Sequence, residues 1–211
     1  MKTIALFAAA ALAVMAAGAQ AAPTISWAGG TGTTASGTTV FQDFDGYAAG
    51  ASIGANAFAY SAATNTGARP AFGSTGNFAA VLGGGNYTVN FGPTNLFSFV
   101  LGSLDTYNTL TLFLADNSSI SYAGGQMIGD QAFSSGNQAI ATSNGVVTFN
   151  ANGGPKIVGA AFKSSQNSFE FDNLALAAAG VPEPSTCAMM IIGFGAVAGV
   201  MRRRRAVTAH A

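Results

Sequence analysis

Tyr87-Thr88-Val89-Asn90-Phe91, Phe97-Ser98-Phe99-Val100-Leu101 and Leu110-Thr111-Leu112-Phe113-Leu114 set large apolar side chains at every second position. Successive side chains of a strand point to opposite faces, so each run can bury one face, and the residues between are largely polar or small. Val146 to Phe149, Ile157 to Phe162 and Phe169 to Leu176 read in the same way. Asp116-Asn117-Ser118, Gly83-Gly84-Gly85-Asn86 and Asn152-Gly153-Gly154-Pro155 read as turns between them. Most of the 28 glycines fall in this central body, among dense Ser, Thr and Asn, which disfavours helix. Short strands at this spacing predict an all-β fold, an antiparallel β-sandwich of jelly-roll type. Pro23 to Thr39, rich in Gly, Thr and Ser, predicts an irregular edge or a flexible arm.

Outward from the body, both ends carry a different composition. Lys2 supplies a short positive region, Ile4 to Ala17 an apolar one, and Ala19-Gln20-Ala21 a small-x-small cleavage pattern. Residues 1–21 therefore read as a signal peptide cut after Ala21, because a cut one residue later would put Pro23 first in the mature chain. An uncleaved N-terminal anchor is the alternative. At the other end Val181-Pro182-Glu183-Pro184 precedes an apolar run, Ser185 to Met201, and then Arg202, Arg203, Arg204 and Arg205. As a helix that run would rise about 25 Å, slightly short of a hydrocarbon core of roughly 30 Å. Arginines on its C-terminal side predict a cytoplasmic end and an exported body. The prolines fix φ and lack a donor, so a helix begins after Pro184 and leaves Val181 to Pro184 extended and accessible. The expected organisation is a signal peptide at 1–21, one exported domain at 22–180 without internal repeat or boundary, a sorting segment with a transmembrane helix at 181–205, and a cytoplasmic tail at 206–211.

The Pro-Glu-Pro tripeptide, the small-residue and Met-rich segment Ala188 to Gly195 and the closing arginines resemble the PEP-CTERM surface proteins of Gram-negative bacteria. The resemblance is to the variant in which Pro-Glu-Pro is followed by two residues, Trp and Ala; Cys187 stands here at the Trp position, with Ala188 after it. It implies that an integral-membrane exosortase cuts near the motif after signal peptidase and the secretion machinery have acted, that the tail is in the membrane only transiently, and that the body reaches the cell surface or the extracellular polysaccharide. Two further stretches resemble features of these proteins. Gly102-Ser103-Leu104-Asp105-Thr106-Tyr107-Asn108 is similar to a Gly-Ser-x-Asp-x-Tyr-Asn stretch between two of their strands, and Phe171-Asp172-Asn173-Leu174 to their last strand. Read from the residues alone, Asp105 to Asn108 is a polar turn.

Charge and residue usage exclude several functions. After both ends are removed, Arg69, Lys156 and Lys163 face Asp43, Asp45, Asp105, Asp116, Asp130, Glu170, Asp172 and Glu183, a net charge of minus five. No basic patch exists to neutralise phosphates, so nucleic acid is not an expected partner. Cys187 is the only cysteine and His210 the only histidine, and both lie in the tail. A Ser-His-Asp triad, a Cys-His dyad, a histidine-containing zinc site and a disulfide are therefore unavailable to the body.

Carboxylates remain as candidates. Asp43 and Asp45 flank Phe44 and would share one side of a strand, and Asp172 lies near the other end of the body. First and last strands of a jelly roll often pair, so these three with backbone carbonyls are the candidate ligands of a calcium ion. Solvated strand carboxylates are the alternative. Two acids also suffice for glycoside hydrolysis, but the only tryptophan, Trp27, lies near the mature terminus, and the 16 phenylalanines mostly suit core positions. No catalytic residue is assigned and no enzyme is expected. Tyr47, Tyr60, Tyr87, Tyr107 and Tyr122 are available as a platform for a sugar. The expected function is that of an exported, exosortase-processed surface or matrix protein with a structural or adhesive role. The alternatives are a carbohydrate-binding module and a permanently anchored inner-membrane protein with a periplasmic domain.

Overall fold

The computed structural model describes residues 21–177. Ten strands follow one another: β1 Thr24–Gly29, β2 Thr38–Gln42, β3 Ser52–Tyr60, β4 Phe78–Thr94, β5 Leu96–Gly102, β6 Asn108–Leu114, β7 Ser119–Ala123, β8 Gly145–Asn150, β9 Ile157–Ser164 and β10 Phe169–Ala177. One 3₁₀ turn, Gly124–Ile128, follows β7. Among the described residues no helix is long and apolar enough to cross a membrane. The all-β, antiparallel expectation holds.

The strands join into one ten-stranded sheet in the order β1-β8-β5-β10-β4-β9-β6-β7, with β2 on β10 and β3 on β4. That single antiparallel sheet is curled into a half-barrel. Its curl is set along β4, the longest strand. Ala79 to Val81 pair with Phe171 to Phe169 of β10, and Gly85 to Asn90 pair with Ser164 to Gly159 of β9. One ribbon of β4 against β9 and β10 thus runs through both halves of the sheet and bends where Leu82 to Gly84 faces Ser165 to Ser168. Beyond the bend the two halves fold back on each other, and the Ala177 N–H donates to Thr94 Oγ1 at 3.3 Å.

The glycine run Gly83-Gly84-Gly85, expected as a turn between strands, makes this corner inside β4. Gly84 has φ +75°, and a Cβ on Gly85 would collide with the carbonyl oxygen of Asn56 in β3. Only residues without side chains let the backbone bend there while staying hydrogen-bonded on both sides. Asn56 completes the corner by donating from Nδ2 to the Gly83 carbonyl at 2.8 Å. A second correction concerns Pro23 to Thr39. It is an edge, as expected, yet Thr24 to Gly29 form a regular strand in register with Asn150 to Gly145 of β8. Its alternating Ile25 and Trp27 pack against the core, which outweighs the loop-like composition around them.

Between the facing halves lies an aromatic core. Phe162 of β9 stacks on Phe171 of β10 with centroids 3.8 Å apart, and Phe99 and Phe169 approach them edge-on. Full burial of each such ring contributes about 1.5–3 kcal/mol. The 3₁₀ turn inserts Met127 and Ile128 into the core and packs against β1, β6 and β7. Tyr122 of β7 meets Phe149 of β8 at 5.1 Å, so the outer strands of the curled sheet lean towards each other. The molecule has two unlike ends. Ala177, Thr38, Leu96, Asn150 and Thr24 are brought to one end by strand register. Opposite them, at the corner, lie Gly83 to Gly85, Ser103 to Tyr107 and Ser165 to Ser168.

Candidate functional site

Glu170, Phe171 and Asp172 occupy consecutive positions on β10. Phe171 points into the core, so both acids point to the outer face of the sheet, where solvent would be expected. Yet Glu170 is 3% exposed and Asp172 0%. The covering is the segment between β3 and β4. The Ala68 N–H donates to Glu170 Oε1 at 2.9 Å, Ser74 Oγ donates to Asp172 Oδ2 at 2.7 Å, and Asn173 Nδ2 donates to the Gly73 carbonyl at 3.2 Å. Ser103 Oγ donates to Glu170 Oε2 at 2.8 Å, and Ser168 Oγ donates to Oε1. Both carboxyls are thus satisfied by neutral donors.

Burial pushes the Glu170 carboxyl up, against the pull of its three partners. Asp172 is pushed up to about 7, by burial first and also by the Asp45 carboxylate, while Ser74, the Asn173 N–H and Arg69 pull it down. Arg69 reaches Asp172 only through Ser74: its Nη1 donates to Ser74 Oγ at 3.3 Å, and Nη2 donates to the carbonyls of Ser61 and Gly76 at 2.6 and 2.7 Å. Its guanidinium also lies 5.0 Å from the centroid of Phe78, a cation–π placement that fixes the segment against β4.

The first strand, β1, pairs with β8 and not with the last, but the strand before Asp43 does meet the last strand, β2 on β10, with Gln42 opposite Leu174. That pairing brings Asp45 towards Asp172, but the strand ends at Gln42. Asp43, Phe44 and Asp45 form a turn in which Phe44 has φ +62° and is buried, and both acids are exposed. Asp43 Oδ1 accepts the Asp45 N–H at 3.1 Å, and Asp45 Oδ1 accepts the Asn77 N–H at 2.5 Å. Asp45 also abuts Gly76, where a Cβ would overlap its carboxylate. The shared strand face expected for Asp43 and Asp45 is therefore replaced by an Asx turn. Among the described residues no group of three His, Cys, Asp or Glu side chains is placed to hold a metal ion.

Of the two stretches singled out beside the tail motif, Gly102 to Asn108 lies at the corner, and Phe171 to Leu174 lies further along β10, with Phe171 opposite Leu101 and Asp172 opposite Val100 of β5. Asn108 Nδ2 donates to Ser164 Oγ and to the Ser168 carbonyl, both at 3.1 Å, and its Oδ1 accepts the Asp105 N–H at 2.8 Å. The Tyr107 hydroxyl donates to the Asn167 carbonyl at 2.6 Å. Burial, and after it the neighbouring Asp105 carboxylate, hold this phenol well above its usual range. Asn144, fully buried just before β8, accepts from the Ser103 N–H at 2.9 Å and donates to the carbonyls of Asn137 and Ile140 at 2.8 and 3.1 Å. Asp105 to Asn108 is thus a polar turn, tied to the start of β10. Around it open a polar cleft of about 130 Å³, lined by Ser103, Asp105, Tyr107 and Glu170 among others, and a groove of about 470 Å³ on the other side of Tyr107.

Glu170 was legible only as an acid set between Phe169 and Phe171, and nothing in the sequence marks Asn144 or Arg69 as the groups that pin the covering segments. Of the residues expected to act in processing, Ala21 is exposed and its carbonyl lies against Gly154. Ala19, Val181 to Pro184 and Arg202 to Arg205, with the expected transmembrane helix, lie outside the described residues.

β10 ends at Ala177, at the end of the molecule away from the corner, and the family model of the PEP-CTERM protein-sorting motif matches residues 180–205. The chain carries a PEP-CTERM sorting motif. The match spans the Pro-Glu-Pro tripeptide, the apolar run and the arginine cluster. The PEP-CTERM motif implies export and cell-surface sorting in a Gram-negative bacterium, with an exosortase as processing partner. No curated protein matches the chain.

Proposed function

We propose that the protein is a non-catalytic component of the cell surface or extracellular matrix, delivered by signal-peptide cleavage and exosortase processing, with a structural or adhesive role. The observation that carries this reading is the PEP-CTERM motif starting at residue 180, directly beyond the last strand. The fold supports it in two ways. Its β-only body has an aromatic core large enough to stand without a disulfide, and the two facing halves of the curled sheet are read here as a jelly-roll-type sandwich. Its buried acids are held by neutral donors, an arrangement that stabilises loops.

Intact mass of the protein recovered from membrane, surface and medium fractions of its own host tests the reading. A mature species from Ala22 to near Pro184 is the expected result. A mature mass that still includes Arg202 to Ala211 overturns it in favour of a permanent anchor.

A further inference from the structure

The corner of the sheet carries an open groove next to a polar cleft, and Tyr107 lines both. Its hydroxyl is tied to the Asn167 carbonyl at 2.6 Å, so the ring is held as a fixed wall between the two. The groove continues over Gly84 and Gly85, whose backbone is bare of side chains, and a Cβ at Gly84 would meet nothing within 4 Å. On the outer face of β9 and β6 the register sets Lys163 opposite Thr109, an ammonium beside a hydroxyl, and both line the groove.

From these features we infer that the corner binds a neutral, polyhydroxylated ligand, a short stretch of glycan, with one sugar ring on the face of Tyr107 and its hydroxyls meeting Lys163 and Thr109. The volume of about 470 Å³ lies within the range of roughly 300–1,000 Å³ usual for small-ligand sites. A rigid tyrosine supplies contact area at low entropic cost, and the flat carbon face of a sugar ring fits such a wall. The charges select against other ligands. Asp105 and Glu170 in the adjoining cleft disfavour an anionic chain, and a lone Lys163 does not offset them. A divalent cation finds no group of three ligating side chains among the described residues.

The position agrees with delivery to a surface, and only this part of the argument rests on the sorting reading. Glu170 and Ala177 lie at opposite ends of β10, about 23 Å apart at roughly 3.3 Å per residue. The sorting motif follows the Ala177 end, so the corner is the end of the body remote from the point where the chain leaves for the motif.

The test uses the mature protein purified from its host and, separately, the full chain in detergent. Both are applied to an array of neutral gluco-, galacto- and manno-oligosaccharides of three to six units, together with an oligogalacturonate. The expected result is binding to at least one neutral oligosaccharide, weakened about tenfold or more by Tyr107→Ala and by Lys163→Ala, the scale of an aromatic or charged anchor. Ser165→Trp, at an exposed position of the groove, should block binding without moving the melting temperature, which separates loss of the site from loss of the fold. Absence of binding to every neutral oligosaccharide, binding of the oligogalacturonate alone, or affinity unchanged in Lys163→Ala and Ser165→Trp would overturn the inference. None of these outcomes bears on the intact-mass result, so the sorting reading and the site stand or fall separately.

Discussion

Asp43-Phe44-Asp45 and Glu170-Phe171-Asp172 share one pattern of acid, phenylalanine and acid, and their two rings meet edge-on with centroids 5.7 Å apart. Both rings are fully buried, yet the first pair of acids is exposed and the second is enclosed. The difference lies in what covers the outer side of each tripeptide. Phe171 sits in a strand whose acids face outward, under the segment that carries Ala68, Gly73 and Ser74. Phe44 reaches the same core from a turn at φ +62°, where Gly76 and Asn77 touch Asp45 from one side and leave both acids exposed. Burial of a carboxylate is thus decided by a distant segment of chain. A protein that keeps two such groups from water accepts a cost in stability at neutral pH in exchange for fixing that segment over the sheet.

The largest effect that would sharpen this comparison comes from the rings. Phe171→Ala should cost about 3–5 kcal/mol in urea unfolding of the mature protein, as for other large core aromatics. It removes the partner that Phe44, Tyr87, Phe99, Phe162 and Phe169 share. Phe44→Ala should cost less, because a turn can settle into the space left while a central strand cannot. Equal losses would mean that the turn is as rigid as the strand, and the comparison would fail.

Next comes pH. The folded Asp172 carboxyl titrates near 7, against 3.8 in its unperturbed form. Between those values the folded chain holds a proton that the unfolded chain has released, so stability falls as pH rises through the window. It is greatest near pH 4 and reaches its low plateau above about pH 7; Glu170, raised in the same direction, adds to the slope. The total change should be on the order of a few kcal/mol. Asp172→Asn should flatten the profile and stabilise the protein above pH 7. Asp43→Asn should leave the slope intact, and Asp45→Asn should lower the apparent midpoint, because the Asp45 carboxylate is one of the groups that raise Asp172. Melting temperatures that rise with pH from 4 to 7 would contradict the burial of both acids.

A smaller loss is expected from Ser74→Ala. The hydroxyl donates to Asp172 and accepts from Arg69, so its removal strips one donor from a buried carboxylate. About 1–3 kcal/mol should be lost above pH 7, and less near pH 4, where the carboxyl is neutral and needs the donor less. A loss independent of pH would place the role of Ser74 in loop packing alone.

Most of the sheet could be read from alternation, because Tyr87 to Phe91 and Leu110 to Leu114 each bury one side of a strand, although Phe97 to Leu101 is buried on both. The corner could not. Gly83 to Gly85 carry turn composition whether the strand stops or bends, and only the pairing of β4 with both β9 and β10 decides. The meeting of β2 with β10 was legible from architecture, and with it the approach of Asp45 to Asp172. The burial of Glu170 and Asp172 was not, because the donors Ala68, Ser74 and Ser103 are remote in sequence and their selection is a tertiary matter.

The smallest expected effect is at Asp43, where the comparison bears on the calcium expectation. Its Oδ1 accepts the Asp45 N–H, and asparagine offers the same oxygen to the same donor, so Asp43→Asn should change stability by no more than about 0.5 kcal/mol at any pH. A calcium ion shared by Asp43, Asp45 and Asp172 would need Asp172 ionised and turned from the Ser74 hydroxyl, and Asp43 released from its turn. Millimolar calcium in place of a chelator should accordingly leave the melting temperature of the mature protein unchanged. A ligand at about 100 times its dissociation constant would add roughly 2.7 kcal/mol, a shift that thermal unfolding cannot miss. A rise on adding calcium, abolished by Asp43→Asn, would show that the exposed pair and the enclosed pair act as one site once an ion draws them together, and the contrast between the two tripeptides would then belong to the ion-free protein alone.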